Sequence, residues 1–397
     1  MASSVVITGF GVVSPLGDTM QDVVARVCAG ESAVRPIPEL GLDGAWGAMV
    51  GDVPLEAEAQ ADKPRAGRLD RLSRLFLAAS YRAVGAAGLH LADEDRERVG
   101  LSFGTGLGCL LTNAEYNEKI VAAGPSAASP RLFAYTVSSA AAGEVSIALG
   151  IRGANVTMHA GFAAGVQAIG YAYDLLQAGK ADVVLAGGAD ALGPAVVRGL
   201  ADMHLLRSRP AAPFEDAVPG FEPSEGAVVA VLERRDRAER RGARCLARVE
   251  GYAMGFEPTL THRRRESTGL QHAMTGALRQ SGRTPQEVGA VITSAHGTPI
   301  DAVEVEALAA VFRDCQPALF APKRAWGECC GASGALGATL ATALLQQPIR
   351  VADGVTWTLA DDQVRPGSGP LDRLGVAMVH ALCYSGTTVA LLVGHEE

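Results

Sequence analysis

The chain is 397 residues long, 48% hydrophobic, only 5% aromatic and 20% charged, with a net charge of −8. These values predict a folded protein of two ordinary domains or one large two-lobed unit, and they exclude a disordered chain. The acidic balance argues against bulk attraction to nucleic acid or an anionic membrane surface, and no uncharged apolar run reaches the roughly 18 residues of a membrane span.

In chain order, VVITGFGVVSPLG (5–17) reads as a buried strand closed by a Pro-Leu-Gly turn; it lacks the charged lead-in of a secretory signal. MQDVVARVCAG (20–30) has helical spacing, with Gly30 as its stop, and residues 36–66, rich in Pro, Gly and acids, read as an irregular insertion. RLDRLSRLFLAASYRAVGAAG (68–88) is an amphipathic helix. VGLSFGTGLG (99–108) is a strand running into a glycine turn, and LLTNAEYNEKIVAAG (110–124) is the helix after it. TVSSAAAGEVSIALG (136–150) is built of small residues. VQAIGYAYDLLQAG (166–179) is nearly uncharged and predicts a helix buried on most sides. ADVVLAGGAD (181–190) is a continuous apolar strand of the parallel-sheet kind, and GAVVAVLE (226–233) is another.

ERRDRAERRGAR (233–244) alternates acids and arginines at helical spacing and predicts a solvated helix face; Arg263-Arg264-Arg265 reads as a surface loop. AVITSAHG (290–297), VEVEALAAVF (303–312), ALFAPK (318–323), GASGALGATLATALLQQ (331–347) and TTVALLVG (387–394) then alternate strand and helix. AAGVQAIGYAYDLLQAG and ASGALGATLATALLQQP read as corresponding parts of a duplication, and the alternation supports a layered α/β protein. The seven cysteines are odd in number and scattered, without a CxxC pair. That pattern predicts reduced thiols in a cytoplasmic protein, with no metal site and no cofactor.

The stretch MHAGFAAGVQAIG (158–170) raises the question of function. A turn leading into a buried helix is a good place for a nucleophile, because unpaired N–H groups and the helix dipole lower a thiol's pKa. Positions 160–165 nevertheless read Ala-Gly-Phe-Ala-Ala-Gly, without Cys, Ser or Lys.

Four stretches now carry a resemblance over nearly the full length. VVITGFGVVSPLG, GKADVVLAGGAD, APFEDAVPGFEPSEGAVVAVLE with Pro213, Phe214, Gly220, Phe221, Glu225 and Gly226 in register, and the pair SAHGTP and APKRAWGECCGASGALG resemble the β-ketoacyl synthase branch of the thiolase superfamily. The resemblance implies a five-layered αβαβα sandwich of two duplicated halves, residues 1–235 and 236–397, usually dimeric. Active members hold the growing chain on a cysteine at the helix start and use two histidines and a lysine for decarboxylative condensation. Aligning Gly165 with the glycine of the family's Thr-Ala-Cys-x-x-Gly motif puts Phe162 at the cysteine position. His296 matches the first imidazole, in a loop about three residues shorter than the family's, and Lys323 matches the lysine. Glu328 stands where the second histidine belongs. Cys329 and Cys330 read as packing thiols, and His159 as a hydrogen-bonded structural histidine.

A carboxylate near a developing enolate repels it by about 4 kcal/mol at ~4 Å and an effective dielectric near 20, roughly a thousandfold in rate. The tail LCYSGTT (382–388) also departs from the family's Phe-Gly-Phe-Gly-Gly-Thr-Asn. The chain is therefore expected to be catalytically silent. It resembles the chain-length factors of type II polyketide synthases, which pair with an active ketosynthase and shape the tunnel for its chain. That likeness implies a heterodimer, an acyl carrier protein met mainly through the partner, and residues 136–147 at the interface. It also implies that Cys109, Thr112 and Tyr116, spaced i, i+3, i+7, gate the tunnel, and the small Cys109 predicts a roomy one, fitting a reduced or polyene chain as well as an aromatic one. Two other readings stand beside it: an active acyltransferase or malonyl decarboxylase using His296 and Glu328, and a scaffold unrelated to polyketides.

Overall fold

The computed structural model describes residues 4–51, 53, 69–215, 218–258, 266–360, 363–372 and 374–396. The arginine triplet at 263–265 and much of the 36–66 insertion lie outside them. Twelve strands form one continuous sheet: β1 (Val5–Val13), β2 (Val99–Thr105), β3 (Asn155–His159), β4 (Val183–Asp190), β5 (Gly226–Arg234), β6 (Ala247–Phe256), β7 (Val288–Ile292), β8 (Ala318–Phe320), β9 (Ile349–Ala360), β10 (Gln363–Leu371), β11 (Val376–Leu382) and β12 (Thr387–Gly394). Their order is β10-β9-β8-β7-β11-β12-β6-β1-β5-β4-β2-β3.

That order contains the same motif twice. The run β3-β2-β4-β5-β1 has two parallel pairings, then two antiparallel ones. The run β8-β7-β11-β12-β6 repeats the sequence of pairings. The halves join edge to edge where Val5–Ile7 pair with Ala247–Val249, and the hairpin β9–β10 extends the second half beyond β8.

Helices supply the remaining layers: α1 (Met20–Cys28), α2 (Arg71–Ala86), α3 (Leu110–Ala123), α4 (Ala140–Leu149), α5 (Ala164–Gln177), α6 (Pro194–Asp202), α7 (Arg235–Arg240), α8 (Thr268–Ser281), α9 (Ile300–Val311) and α10 (Ser333–Gln346). α2 and α4 cover the outer face of the first half, and α8 and α9 that of the second. α5 and α10 pack against each other between the two half-sheets, completing a thiolase-like αβαβα sandwich. Their sequences require that position: α10 carries no charge and buries Ser333 through Leu345, and α5 buries its glycine-alanine face.

The two inner helices meet at their N-termini with backbone against backbone. A Cβ added at Gly165 would stand 2.2 Å from the carbonyl oxygen of Gly331, and one at Gly188 would stand 2.1 Å from the same atom. Asp190 at the end of β4 fixes this junction. Its carboxylate accepts from Thr105 Oγ1 at 2.6 Å, from the N–H groups of Gly106, Leu107 and Gly108 in the first half, and from Gly331 N–H at 2.6 Å in the second. Burial pushes this carboxyl above the usual carboxylate range, while the donors oppose that shift.

The arginine-rich run departs from expectation. Arg235 and Arg240 are solvated, but Arg237 and Arg241 turn inward onto the fully buried Glu233, which also accepts from Thr8 Oγ1 at 2.6 Å, and Arg237 reaches Glu94 as well. An unpaired buried carboxylate would be costly, so the run ties β5 to β1 rather than only facing water. Among the described residues no helix is long and apolar enough to cross a membrane. Replacing Gly165 with Ala overpacks the helix junction and is expected to cost about 1–3 kcal/mol, read as a lowered urea midpoint; an unchanged midpoint would show that the junction can relax.

Candidate functional site

A 3-10 turn, Gly161–Ala163, leads from β3 into α5 and aims Phe162 into the space between the halves. The ring is 9% exposed and enclosed by aromatic neighbours. Its centroid lies 5.3 Å from Phe221, 5.5 Å from Tyr384 and 6.4 Å from His296, all close to edge-to-face. Lys323 Nζ stands 5.5 Å from the ring centroid, within cation–π range. A cavity of about 10 Å³, room for one water, lies beside Phe162.

His296 is held just after β7. Its Nδ1 lies 2.9 Å from the Ser294 carbonyl oxygen, so Nδ1 carries the proton and donates it. Nε2 is buried without a partner, and burial followed by the Lys323 charge lowers the imidazole pKa to about 3. The ring is therefore neutral at physiological pH, with an acceptor at Nε2 rather than a donor for an enolate oxygen. Asp301, at the start of α9, accepts from the His296 and Gly297 N–H groups at 3.1 and 2.8 Å and fixes the loop.

Lys323 and Glu328 form a buried ion pair, Nζ to Oε2 2.6 Å. The lysine also donates to Ser294 Oγ at 2.8 Å, and Glu328 Oε1 accepts from Cys330 N–H at 2.9 Å and Ser333 Oγ at 2.7 Å. Glu328 is thus pinned to the mouth of α10 and faces a cation rather than an open pocket. The polar chain continues through Ser294 N–H to Glu304, whose Oε1 lies 2.9 Å from His380 Nδ1.

The fold thus brings Phe162, His296, Lys323 and Glu328 into one cluster and adds Phe221, Tyr384, Ser294, Glu304 and His380. Cys329 and Cys330 are buried as expected, and burial drives both thiols well above their ordinary pKa, leaving them unreactive. His159, expected as a hydrogen-bonded structural histidine, is exposed at the end of β3. Among the described residues no cluster of His, Cys, Asp and Glu could hold a metal.

The three gate candidates lie elsewhere. Cys109 precedes α3 as its cap, with Sγ 3.1 Å from the Thr136 carbonyl oxygen and accepting from Asn113 Nδ2 at 3.3 Å. Buried Thr112 donates to Asp70 at 2.9 Å, and half-buried Tyr116 packs on Phe133 with centroids 6.0 Å apart. Their contacts run to the 133–138 segment and Asp70, not to the Phe162 cluster. Beside them, β3 is an edge strand, and Phe133, Val137 and Ile147 expose 63%, 54% and 63% of their surface.

Residues 2–238 match the family model for the N-terminal domain of β-ketoacyl synthase, and residues 246–351 match the model for its C-terminal domain. A curated relative from Vibrio cholerae, 3-oxoacyl-[acyl-carrier-protein] synthase 2, is 28% identical over 98% of each chain. The protein of the same name from Synechocystis is 30% identical over 76% of this chain and 74% of its own. Among solved structures, the ishigamide ketosynthase/chain length factor superposes with a TM-score of 0.86 at 24% identity, and a β-ketoacyl synthase from Burkholderia phymatum with 0.86 at 25%, each over the whole of both chains. A type II polyketide synthase acyl-carrier protein in complex with its ketosynthase gives 0.84 at 20% identity, again over both whole chains.

Two measurements check this reading of the site. Lys323→Met leaves Glu328 buried without its cation and is expected to cost about 3–5 kcal/mol in urea unfolding, while Lys323→Met with Glu328→Leu recovers most of the loss. An unfolded histidine titrates near 6.5 and the folded His296 near 3, so its contribution is full above pH 6.5 and lost as pH falls towards 3. Between pH 7 and pH 5 the native protein should therefore lose about 2 kcal/mol more than His296→Asn.

Proposed function

The chain belongs to the β-ketoacyl synthase family, and on that premise we propose that it is a catalytically silent chain-length factor of a type II polyketide synthase. It pairs with an active ketosynthase subunit, shapes the tunnel that receives the growing chain, and meets the acyl carrier protein mainly through that partner, in the cytoplasm. The observation that carries this reading is the Phe162 ring, which stands where a nucleophile would need space and leaves about 10 Å³ beside it. A benzyl group cannot form a thioester, and its ring packs against Phe221 and Tyr384.

The surroundings support the reading. Glu328 is neutralised by Lys323, and His296 offers an acceptor where an enolate would need a donor. The unpaired edge of β3 and the exposed apolar residues next to it require cover, which a partner subunit would supply. A complex named as a ketosynthase with a chain length factor shares the fold. Cys109, Thr112 and Tyr116 border this face and are assigned the gate.

The second reading, an acyltransferase or malonyl decarboxylase using His296 and Glu328, draws on the partnerless Nε2 of His296 and on curated relatives named as synthases. Against it, Glu328 is committed to Lys323, Ser333 and the Cys330 N–H and cannot serve as a free base.

Co-expression with a ketosynthase that keeps an intact Cys-His-His set should yield a one-to-one complex on gel filtration, whereas the chain alone self-associates. In the complex, Cys109→Trp or Thr112→Trp should shorten the polyketide seen by mass spectrometry. Unchanged product length in both variants would remove the gate from these residues.

A further inference from the structure

A groove of about 1810 Å³ opens on a face that takes no part in the cluster around Phe162. Its walls are α1, the end of α2 with the turn to residue 92, and the C-terminal end of α10 with the start of β9. We infer that this groove is a docking site for an acidic amphipathic helix of about three turns presented by another polypeptide.

Size is the first argument. Small-molecule pockets run to about 300–1,000 Å³. A volume of 1810 Å³ instead equals a cylinder about 11 Å across and about 19 Å long, which is some 12 residues of α-helix with its side chains. The walls suit such a guest: Ala25 and Ala29 lie one turn apart on the exposed side of α1, and Gly85 and Ala86 face the groove from α2, so a second helix can approach closely. The floor is apolar, with Val24, Cys28 and Leu89 buried and Leu246 half-buried, and it matches the apolar stripe of an amphipathic helix.

Charge sets the guest's other face. Of the charged groups in the lining, Asp18 is taken by Arg82 at 3.1 Å. Exposed Arg244 donates only to the neutral Gln346 side chain, and exposed Arg350 lies on the rim beyond it. Two guanidinium groups with no carboxylate partner among the described residues, on a chain of net charge −8, mark this rim as locally cationic. An acidic helix is the complementary partner.

The test uses the full chain in its ketosynthase complex and three fluorescent 14-residue peptides: a glutamate-rich helix with leucines at i, i+3, i+4 and i+7, its lysine-for-glutamate counterpart, and a scrambled form of the first. The acidic helix is expected to bind at least tenfold more tightly than either control by anisotropy. It should slow amide exchange at residues 85–92 and 343–352. Arg244→Glu with Arg350→Glu should weaken it at least tenfold, and Ala25→Trp with Ala29→Trp, which fill the groove from exposed positions, should abolish it; thermal melts confirm that the variants fold. Absent binding, equal binding of acidic and basic peptides, no effect of the charge reversal, or occupation by oleate but not by the acidic peptide would overturn the inference. No residue of the Phe162 cluster lines the groove, so a failure of the acidic helix to bind leaves the chain-length reading standing.

Discussion

Everything at the centre of this molecule depends on two helix N-termini touching through bare backbone. α5 and α10 come from equivalent places in the two halves, and Gly165 meets the Gly331 carbonyl with no room for a methyl group. Asp190 holds both sides of that contact through a hydroxyl and four N–H groups. A carboxylate buried with this many donors is worth keeping only where the geometry it fixes matters. Here the geometry gathers side chains from both halves, 162 on one and 296, 323 and 328 on the other, into one pocket.

Within that frame, the groups of the pocket are engaged chiefly with one another. The turn before α5 delivers an aromatic ring, Phe162, packed on Phe221 and Tyr384. The charge of Lys323 is paired with Glu328 at 2.6 Å. The Nδ1 proton of His296 points to the Ser294 carbonyl. Each feature is locally stable: the ring packs among aromatic neighbours, the acid and base cancel, and the neutral imidazole avoids a buried charge. Apart from the partnerless Nε2 of His296, the charged groups of this pocket are taken up by one another.

The sequence carried much of the fold. Long uncharged runs such as 333–346 and 387–394 announce buried elements, and the two glycine-alanine helix starts reveal the repeat. β3 escaped because Asn-Val-Thr-Met-His is only five residues long, lies at an edge and alternates just two apolar side chains; β9 and β10 carry glycines and two prolines that mask their strand character. α8 was legible in retrospect, since Leu270, Ala273, Met274, Ala277 and Leu278 are buried at helical spacing, but its two glycines and threonines blurred the pattern. At the site, Phe162, Lys323 and Glu328 came from motif position alone. Asp190 was signalled by a single acid ending an apolar strand. The Glu304–His380 link could not be read, because 76 residues separate the partners and only the sheet order brings them together.

The central claim is that this polypeptide holds no acyl group of its own. Intact-protein mass spectrometry after incubating the purified, partner-free chain with acyl- and malonyl-carrier thioesters tests it directly. The account predicts an unchanged protein mass and no carbon dioxide release above the uncatalysed rate. A stoichiometric acyl adduct on the chain would contradict it.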